Sequence, residues 1–260
     1  MTTTATPAAG RTAPRGPLAA VLRAETRLFL REPGSLFWIL LFPALLLTIL
    51  GLIPSFREED EALGGRSVID LYVPVAVLLS MIMSGLQAMP PVLTGYRERG
   101  ILRRMSATPV RPSALLAAQI VLHGAASLGS AVLVVALGRT AFGTPLPRQM
   151  PGYLLALVLA VVCALALGAA VCALAATARA ATAVGTVVYV LMMFAAGVWF
   201  PVQTMPGLLR RIVEFTPLGA ASQALDQAAT GSWPGWSHLA VMVVWIGLLG
   251  TGSVRLFRWQ

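Results

Sequence analysis

The sequence predicts an all-α integral membrane protein with six transmembrane helices, an N-terminal amphipathic interfacial helix and a re-entrant helical hairpin between helices five and six. The first observation is composition: 57% of the 260 residues are hydrophobic and 11% are charged, whereas soluble domains average about 25% charged residues. The second is where charges are missing. Six windows contain no Asp, Glu, Lys or Arg, and each exceeds the roughly 20 residues that a membrane-spanning helix needs. They cover residues 33–56, 71–96, 112–138, 149–178, 180–209 and 227–254.

The N-terminal region divides into a tail and a helix. Residues 1–16 are rich in Pro, Ala and Thr without an apolar core, so we expect a disordered cytoplasmic tail and no cleavable signal peptide. Residues 17–32 have helical periodicity, with three arginines opposite apolar residues, as in a helix that lies in the membrane interface. The arginines are Arg23, Arg27 and Arg31. Glu25 falls within the apolar arc and is either a side chain that reaches interfacial water or an ion-pair anchor to a cytoplasmic loop.

The predicted spans lie at about 35–53, 71–89, 115–137, 153–176, 180–200 and 238–254. Spans one and two contain Pro43 and Pro74, and prolines commonly kink membrane helices. Span two is expected to end at Pro90-Pro91. Spans three to five are rich in small residues, which allow close helix approach. Only a few residues around Arg179 join spans four and five, so these two spans are expected to form an antiparallel pair.

The arginines also predict the orientation. The N-terminal segment, the second and fourth connections and the C-terminus together carry 13 Arg against 3 acidic residues. The other connections carry 6 Arg against 7 acidic residues. Because positive residues near spans are retained in the cytoplasm, both termini are expected to be cytoplasmic. The net charge of +9 is thereby explained by topology, and we expect no nucleic-acid partner.

No catalytic, cofactor-binding or metal site is predicted. The chain has neither the lysine that a phosphate-binding loop requires nor a G-x-S-x-G motif. His123 and His238 lack metal-ligand spacing, and Cys163 and Cys172 are too far apart along one helix to form a disulfide. We therefore expect that the chain is not an enzyme. The span cores also lack the carboxylates on which ion-driven carriers depend, so a pump would have to receive its energy through a cytoplasmic connection.

The connection at 93–113 is the one large enough for that purpose. We expect a helix over 97–105 that continues span two and breaks near Thr108-Pro109. The arginines alone indicate a positive-inside clamp, whereas the mixture of Glu98 with arginines and apolar residues favours a helix that docks on a partner. The predicted docking residues are Arg97, Glu98, Arg99, Gly100, Leu102, Arg103, Arg104 and Pro109.

Residues 201–236 are too numerous and too apolar for a structureless external loop. Short helical stretches bounded by Pro206 and Pro217 favour a re-entrant hairpin that caps the outer end of a transport path. An interfacial aromatic belt formed by Trp199 and Phe200 is the alternative. The predicted cap residues are Trp199, Phe200, Pro201, Met205 and Pro206.

Two parts of the sequence resemble the permease subunits of type-2 ABC transporters, and the resemblance extends over residues 17–260. The run E-R-G-x-L-x-R-x-x-x-T-P at 98–109 is similar to the coupling helix in that family's first cytoplasmic loop. G-V-W-F-P-V-Q-T-M-P-x-L-L at 197–209, followed by T-P-L-G-A-A-S-Q-A-L at 216–225, is similar to its re-entrant segment. The resemblance implies a permease dimer, a homodimer rather than a heterodimer. It also implies two copies of a separate ATPase subunit, which would bind ATP and Mg²⁺ while this chain binds no cofactor.

The resemblance further implies export of a hydrophobic or amphipathic drug, antibiotic or lipid across a bacterial cytoplasmic membrane. In the family, spans two and five face the partner permease. Here these spans carry five methionines, whose flexible side chains suit a path for varied apolar molecules, although methionine fills protein cores equally well. The methionines are Met81, Met83, Met89, Met192 and Met193. A non-ABC channel or scaffold subunit, and a membrane enzyme that acts on lipid, are the alternative functions.

Overall fold

A computed structural model describes residues 17–105 and 112–256. In this part of the chain, six helices are long and apolar enough to cross a membrane, so the predicted all-α membrane protein with six spans is confirmed. We call these helices spans one to six. They are Pro33–Gly51, Val68–Glu98, Pro112–Phe142, Met150–Leu174, Ala178–Ala195 and Trp236–Leu256. The tail expected at 1–16 lies outside the described residues.

The interfacial helix, Pro17–Phe29, precedes span one and packs against span three. The sequence predicted that this helix ends at residue 32, but in the structure it ends at Phe29. A residue that precedes proline is disfavoured in the helical region, and Glu32, directly before Pro33, has φ −102° and ψ 82°. The chain therefore turns between the two helices instead of continuing as one.

Prolines are accompanied by π-helical segments in spans one and two. The segments Phe37–Leu41 and Met83–Ala88 lie just ahead of Pro43 and Pro90-Pro91. Proline has no N–H to bond the preceding turn, and a π-helical turn absorbs the interruption without ending the helix. The prediction that span two ends at Pro90-Pro91 is therefore wrong, because the helix continues to Glu98.

Span two is the central helix of the bundle. Most of its residues are buried, and it packs against spans three, four and five. Glycines of spans four and five lie directly against the backbone of span two. A Cβ on Gly168 of span four would overlap the carbonyl oxygen of Gly85. A Cβ on Gly185 of span five would lie 2.7 Å from the carbonyl oxygen of Leu86. The prolines at 90 and 91 cannot donate to these two carbonyls. Close glycine packing therefore covers acceptors that span two leaves without helical donors.

The end of the bundle opposite the 97–105 segment is held by polar contacts. Two-residue strands, Glu59–Asp60 and Arg66–Ser67, pair in antiparallel fashion in the connection between spans one and two. The side chains of Ser67 and Asp70 then cap the first turn of span two. Arg66 forms an ion pair with Asp226 at 2.7 Å, which joins this connection to the region between spans five and six.

Two short helices lie between spans five and six. We call Gly207–Glu214 helix A and Pro217–Thr230 helix B. Helix B is buried along most of its length and packs against spans four and six. The hydroxyl of Ser222 in helix B donates to the carbonyl of Ala196, 3.1 Å away, just after span five. These contacts place helix B inside the bundle, while its re-entry into the bilayer stays a prediction.

Candidate coupling and substrate sites

We call residues 97–105 the coupling segment. The backbone of Gly100 has φ +65°, and a short helix, Ile101–Met105, follows. The predicted uninterrupted helix over 97–105 is therefore wrong, because glycine adopts this left-handed conformation without the penalty of a Cβ and so ends span two. Leu102 is 2% exposed and fixes the short helix to the core. The break expected near Thr108-Pro109, and the predicted docking residue Pro109 itself, lie outside the described residues.

Four charged side chains of the coupling segment are exposed, and we call them the docking face. They are Glu98, Arg99, Arg103 and Arg104. The guanidinium of Arg104 donates to the carbonyl of Arg99 at 2.8 Å, which ties the two helices across the glycine turn. The Arg99 guanidinium lies 5.4 Å from the centre of the Tyr96 ring. The docking face is thus a charged surface on a segment that is attached to the bundle.

Arg97, one of the predicted docking residues, is half-buried and makes contacts within the bundle. Its guanidinium donates to the carbonyls of Cys172, at 3.4 Å, and Ala175. These groups lie at the C-terminal end of span four, where helix carbonyls lack helical donors and a cation complements the helix dipole. Arg97 therefore ties the coupling segment to the turn that joins spans four and five.

Glu25 follows neither of its two predicted alternatives. It is 8% exposed, so it does not reach water, and its carboxylate accepts hydrogen bonds from two neutral donors instead of pairing with a cation. These donors are the Tyr96 hydroxyl at 3.0 Å and Gln119 Nε2 at 2.6 Å. Burial raises the pKa of the Glu25 carboxyl above its usual 4.5; the two hydrogen bonds partly lower it, and nearby Glu32 raises it further. Arg23, Arg27 and Arg31 are exposed, as expected.

A groove of about 460 Å³ lies between spans one, two and five. The π-helical segments of spans one and two both contribute to its wall, and π-helical turns are frequent at functional sites. Its lining combines apolar surface with a hydroxyl, an amide and a phenol, which suits an amphipathic molecule. The lining residues are Gly34, Ser35, Trp38, Met83, Gln87, Ala88 and Tyr189.

Each of the two histidines has a neutral side chain beside its Nδ1 atom. His123 is buried, with its Nδ1 3.2 Å from the Ser84 hydroxyl, and His238 Nδ1 lies 3.4 Å from Gln227 Oε1. Across the described ranges, no three His, Cys, Asp or Glu side chains lie together in a way that could hold a metal ion.

The family described as ABC-2 type transporter matches residues 17–228 of the chain. The chain belongs to this family. The match begins at the interfacial helix and ends within helix B, so it includes the coupling segment and the groove. No curated protein sequence matches the chain significantly. As an ABC-2 type transporter the chain is a multi-pass membrane component and not itself an enzyme, and the family implies an ABC ATPase partner.

Only part of the predicted methionine path has access to the groove of this ABC-2 type transporter. Met81 and Met89 are 1% and 0% exposed and fill the core around span two, which is the alternative role for methionine. Met83 lines the groove, and Met193 packs against the small core cluster that contains Met83. Met192 is half-buried against the core. Sequence reasoning missed Trp38, Gln87 and Tyr189, although an amide within an apolar span was a usable signal.

The predicted cap residues of the ABC-2 type transporter divide into exposed and buried sets. Trp199 and Phe200 are 49% and 64% exposed, which suits the aromatic-belt alternative. Met205 is buried and packs with Val213 of helix A. Pro201 is half-buried and Pro206 is exposed. They lie at the two ends of the short turn that contains Met205. Met205 thus fixes the segment, while the aromatic pair faces away from the bundle.

Proposed function

We propose that this chain is the permease subunit of an ATP-driven exporter that moves hydrophobic or amphipathic compounds out of a bacterial cell. Energy comes from a separate ATPase subunit that binds the docking face. The permease acts as a homodimer with two ATPase copies, in the cytoplasmic membrane and with both termini in the cytoplasm.

The observation that carries this proposal is the attachment of the docking face to the bundle. Leu102 anchors its short helix in the core, and Arg97 binds the end of span four. A force applied to the docking face is therefore transmitted to spans two and four. A channel or scaffold subunit would have no need for this arrangement.

The test is to express the chain with an ABC ATPase encoded by the same genome, reconstitute the complex in vesicles and measure ATP hydrolysis with and without hydrophobic dyes. We expect the wild type to bind the ATPase and the dyes to stimulate hydrolysis. Glu98→Arg should abolish stimulation and leave insertion intact, since it alters no span. Glu58→Arg, an exposed charge reversal in the connection between spans one and two, is the matched control. A wild type that binds no ATPase would favour the channel or scaffold alternative.

The groove is the proposed entry site for the transported compound. Its apolar lining and the absence of charged lining residues favour neutral or amphipathic hydrophobic molecules, because an unpaired buried charge is costly. Met83→Ala together with Met193→Ala should change which dyes are exported while basal ATP hydrolysis stays unchanged. Met150→Ala, a methionine outside the groove, is the control. An unchanged export profile would place the path elsewhere.

A further inference from the structure

Five polar side chains form two hydrogen-bonded groups between the interfacial helix, span two and span three. In the first group, Glu25 accepts bonds from Tyr96 and Gln119. In the second, the Ser84 hydroxyl lies 3.2 Å from His123 Nδ1 and donates to the His123 carbonyl at 3.1 Å. All of these side chains except Tyr96 are buried. Polar groups buried at this depth are kept in place by their partners, because each would be costly without one.

Span three joins the two groups. Gln119 and His123 are four residues apart, so they lie on the same face of the helix, one turn apart. Gln119 reaches the interfacial helix, and His123 reaches Ser84 within the π-helical segment of span two. The ring of Phe29, at the end of the interfacial helix, meets the His123 ring edge-on at 5.3 Å. One face of span three therefore contacts both the interfacial helix and the π-helical segment.

The two ends of this arrangement lie at the two sites described above. Tyr96 is one turn before Gly100, where the coupling segment leaves span two. Ser84 stands next to Met83, which lines the groove. The polar groups thus link the segment that bears the docking face to the wall of the groove by a route outside the backbone of span two.

We propose that Glu25 is a positioning residue that holds the interfacial helix, the cytoplasmic end of span two and span three in one register, and that Gln119 and His123 extend this register to the π-helical segment. When the ATPase displaces the coupling segment, the hydrogen bonds of Glu25 make the interfacial helix and span three move together with that segment. The contact between His123 and Ser84 then passes the movement to the π-helical segment. This inference rests on the proposed function, since it concerns how that function is transmitted.

The experiment uses the same reconstituted complex of this chain with an ABC ATPase and compares dye-stimulated with basal ATP hydrolysis. Glu25→Leu leaves the Tyr96 and Gln119 donors without their acceptor, so stimulation should fall about tenfold, within the usual range of coupling between linked sites. Basal hydrolysis and ATPase binding should stay unchanged. Glu25→Gln keeps an acceptor oxygen and should retain most of the stimulation. Arg27→Gln, an exposed neighbour on the same helix, is the matched control.

A double-mutant cycle separates this role from a merely structural one. Gln119→Leu alone should lower stimulation as Glu25→Leu does, and the double variant should be no worse than either, because residues of one network act non-additively. Tyr96→Phe removes a single hydroxyl, should fold normally and should lower stimulation about threefold. This variant keeps the inference testable if Glu25→Leu does not fold.

The inference is overturned if Glu25→Leu or Tyr96→Phe retains wild-type stimulation. It is also overturned if the variants lose ATPase binding together with stimulation, since Glu25 would then only maintain the fold. A wild-type complex that binds the ATPase but shows no stimulation would instead contradict the proposed function itself.

Discussion

Gly100 shows at the residue scale how one backbone conformation directs the coupling segment. Its φ of +65° lies in the left-handed region, and among the described residues a Cβ at this position would meet nothing within 4 Å beyond its chain neighbours. The requirement for glycine is therefore conformational and not steric. The orientation of the docking face relative to span two depends on this residue.

We expect Gly100→Ala to cost about 1–2 kcal/mol locally, because a Cβ disfavours the left-handed conformation, and to reduce dye-stimulated ATP hydrolysis severalfold. Gly100→Asn should be milder, since asparagine tolerates this conformation. Gly95→Ala is the control, because its Cβ would meet only the Arg99 side chain at an ordinary 3.6 Å. Equal stimulation in all variants would show that the turn does not orient the docking face.

Glu25 also predicts a pH dependence. Burial raises the pKa of its carboxyl above the usual 4.5, so the folded protein retains this proton at pH values where the unfolded chain has lost it. The contribution of Glu25 to the free energy of unfolding is complete below pH 4.5. It is lost as pH rises through the raised pKa of the folded protein. We expect the Tm of the wild type, relative to that of Glu25→Gln, to fall as pH rises above about 4.5. Parallel Tm curves for the two proteins would contradict this.

At the scale of elements, the prolines of span two and the glycines of spans four and five act together. Pro90-Pro91 leave backbone carbonyls without helical donors, and Gly168 and Gly185 allow two neighbouring helices to cover them. Each feature alone would weaken a helix. Together they allow spans four and five to approach the backbone of the central span closely.

Gly168→Ala should therefore destabilise the protein by about 1–3 kcal/mol, because its Cβ would overlap the Gly85 carbonyl and force a backbone shift. Gly129→Ala is the matched control, since a Cβ there meets nothing within 4 Å. It should be neutral or slightly stabilising through helix propensity. Thermal unfolding in detergent measures both variants, and equal Tm values would refute the role of the crossing.

Helix A predicts a labelling pattern. Leu208 and Ile212 are 77% and 57% exposed, whereas Val213 is 3% exposed. Single cysteines at the first two positions should react with an impermeant maleimide added outside the cell, and a cysteine at Val213 should not. The native cysteines are both buried. Uniform labelling, or labelling only from the cytoplasmic side, would contradict the proposed location of helix A.

At the scale of the whole molecule, burial of span two changes the expected dimer contact. The resemblance implies that spans two and five face the partner in the proposed homodimer, but span two is mostly buried within the chain itself. Spans one and five are largely exposed and border the groove. We therefore expect the two protomers to meet at spans one and five, with the groove opening towards the contact.

Disulfide cross-linking tests this arrangement. Val190→Cys on span five, where the native side chain is 46% exposed, should form a covalent dimer under mild oxidation. Val132→Cys on span three, where the side chain is 69% exposed, is the control and should stay monomeric. Dimers at Val132 and none at Val190 would place the contact on the other side of the bundle.

The sequence by itself determined the number of spans and singled out the segment that we propose receives the energy. A bilayer core excludes charge and requires about 20 apolar residues for each helix, so charge-free windows reveal spans without knowledge of their packing. The arginine-rich run at 97–104 and its single glycine are likewise local in sequence. The ends of the helices could not be read from periodicity, because they depend on local backbone geometry. The π-helical turn before Pro90-Pro91, for example, lets span two continue past these prolines.

Only the tertiary structure decided which side chains meet. Glu25 and Gln119 are 94 residues apart in the chain, and Arg97 and Cys172 are 75 apart. Hydropathy and charge patterns assign a residue to one face of one helix, but its partner depends on how several helices pack together. The same packing enclosed Met81 and Met89 and left Met83 at the groove. Methionines with similar sequence surroundings acquired different roles because the rotation of span two about its axis is set by its neighbours.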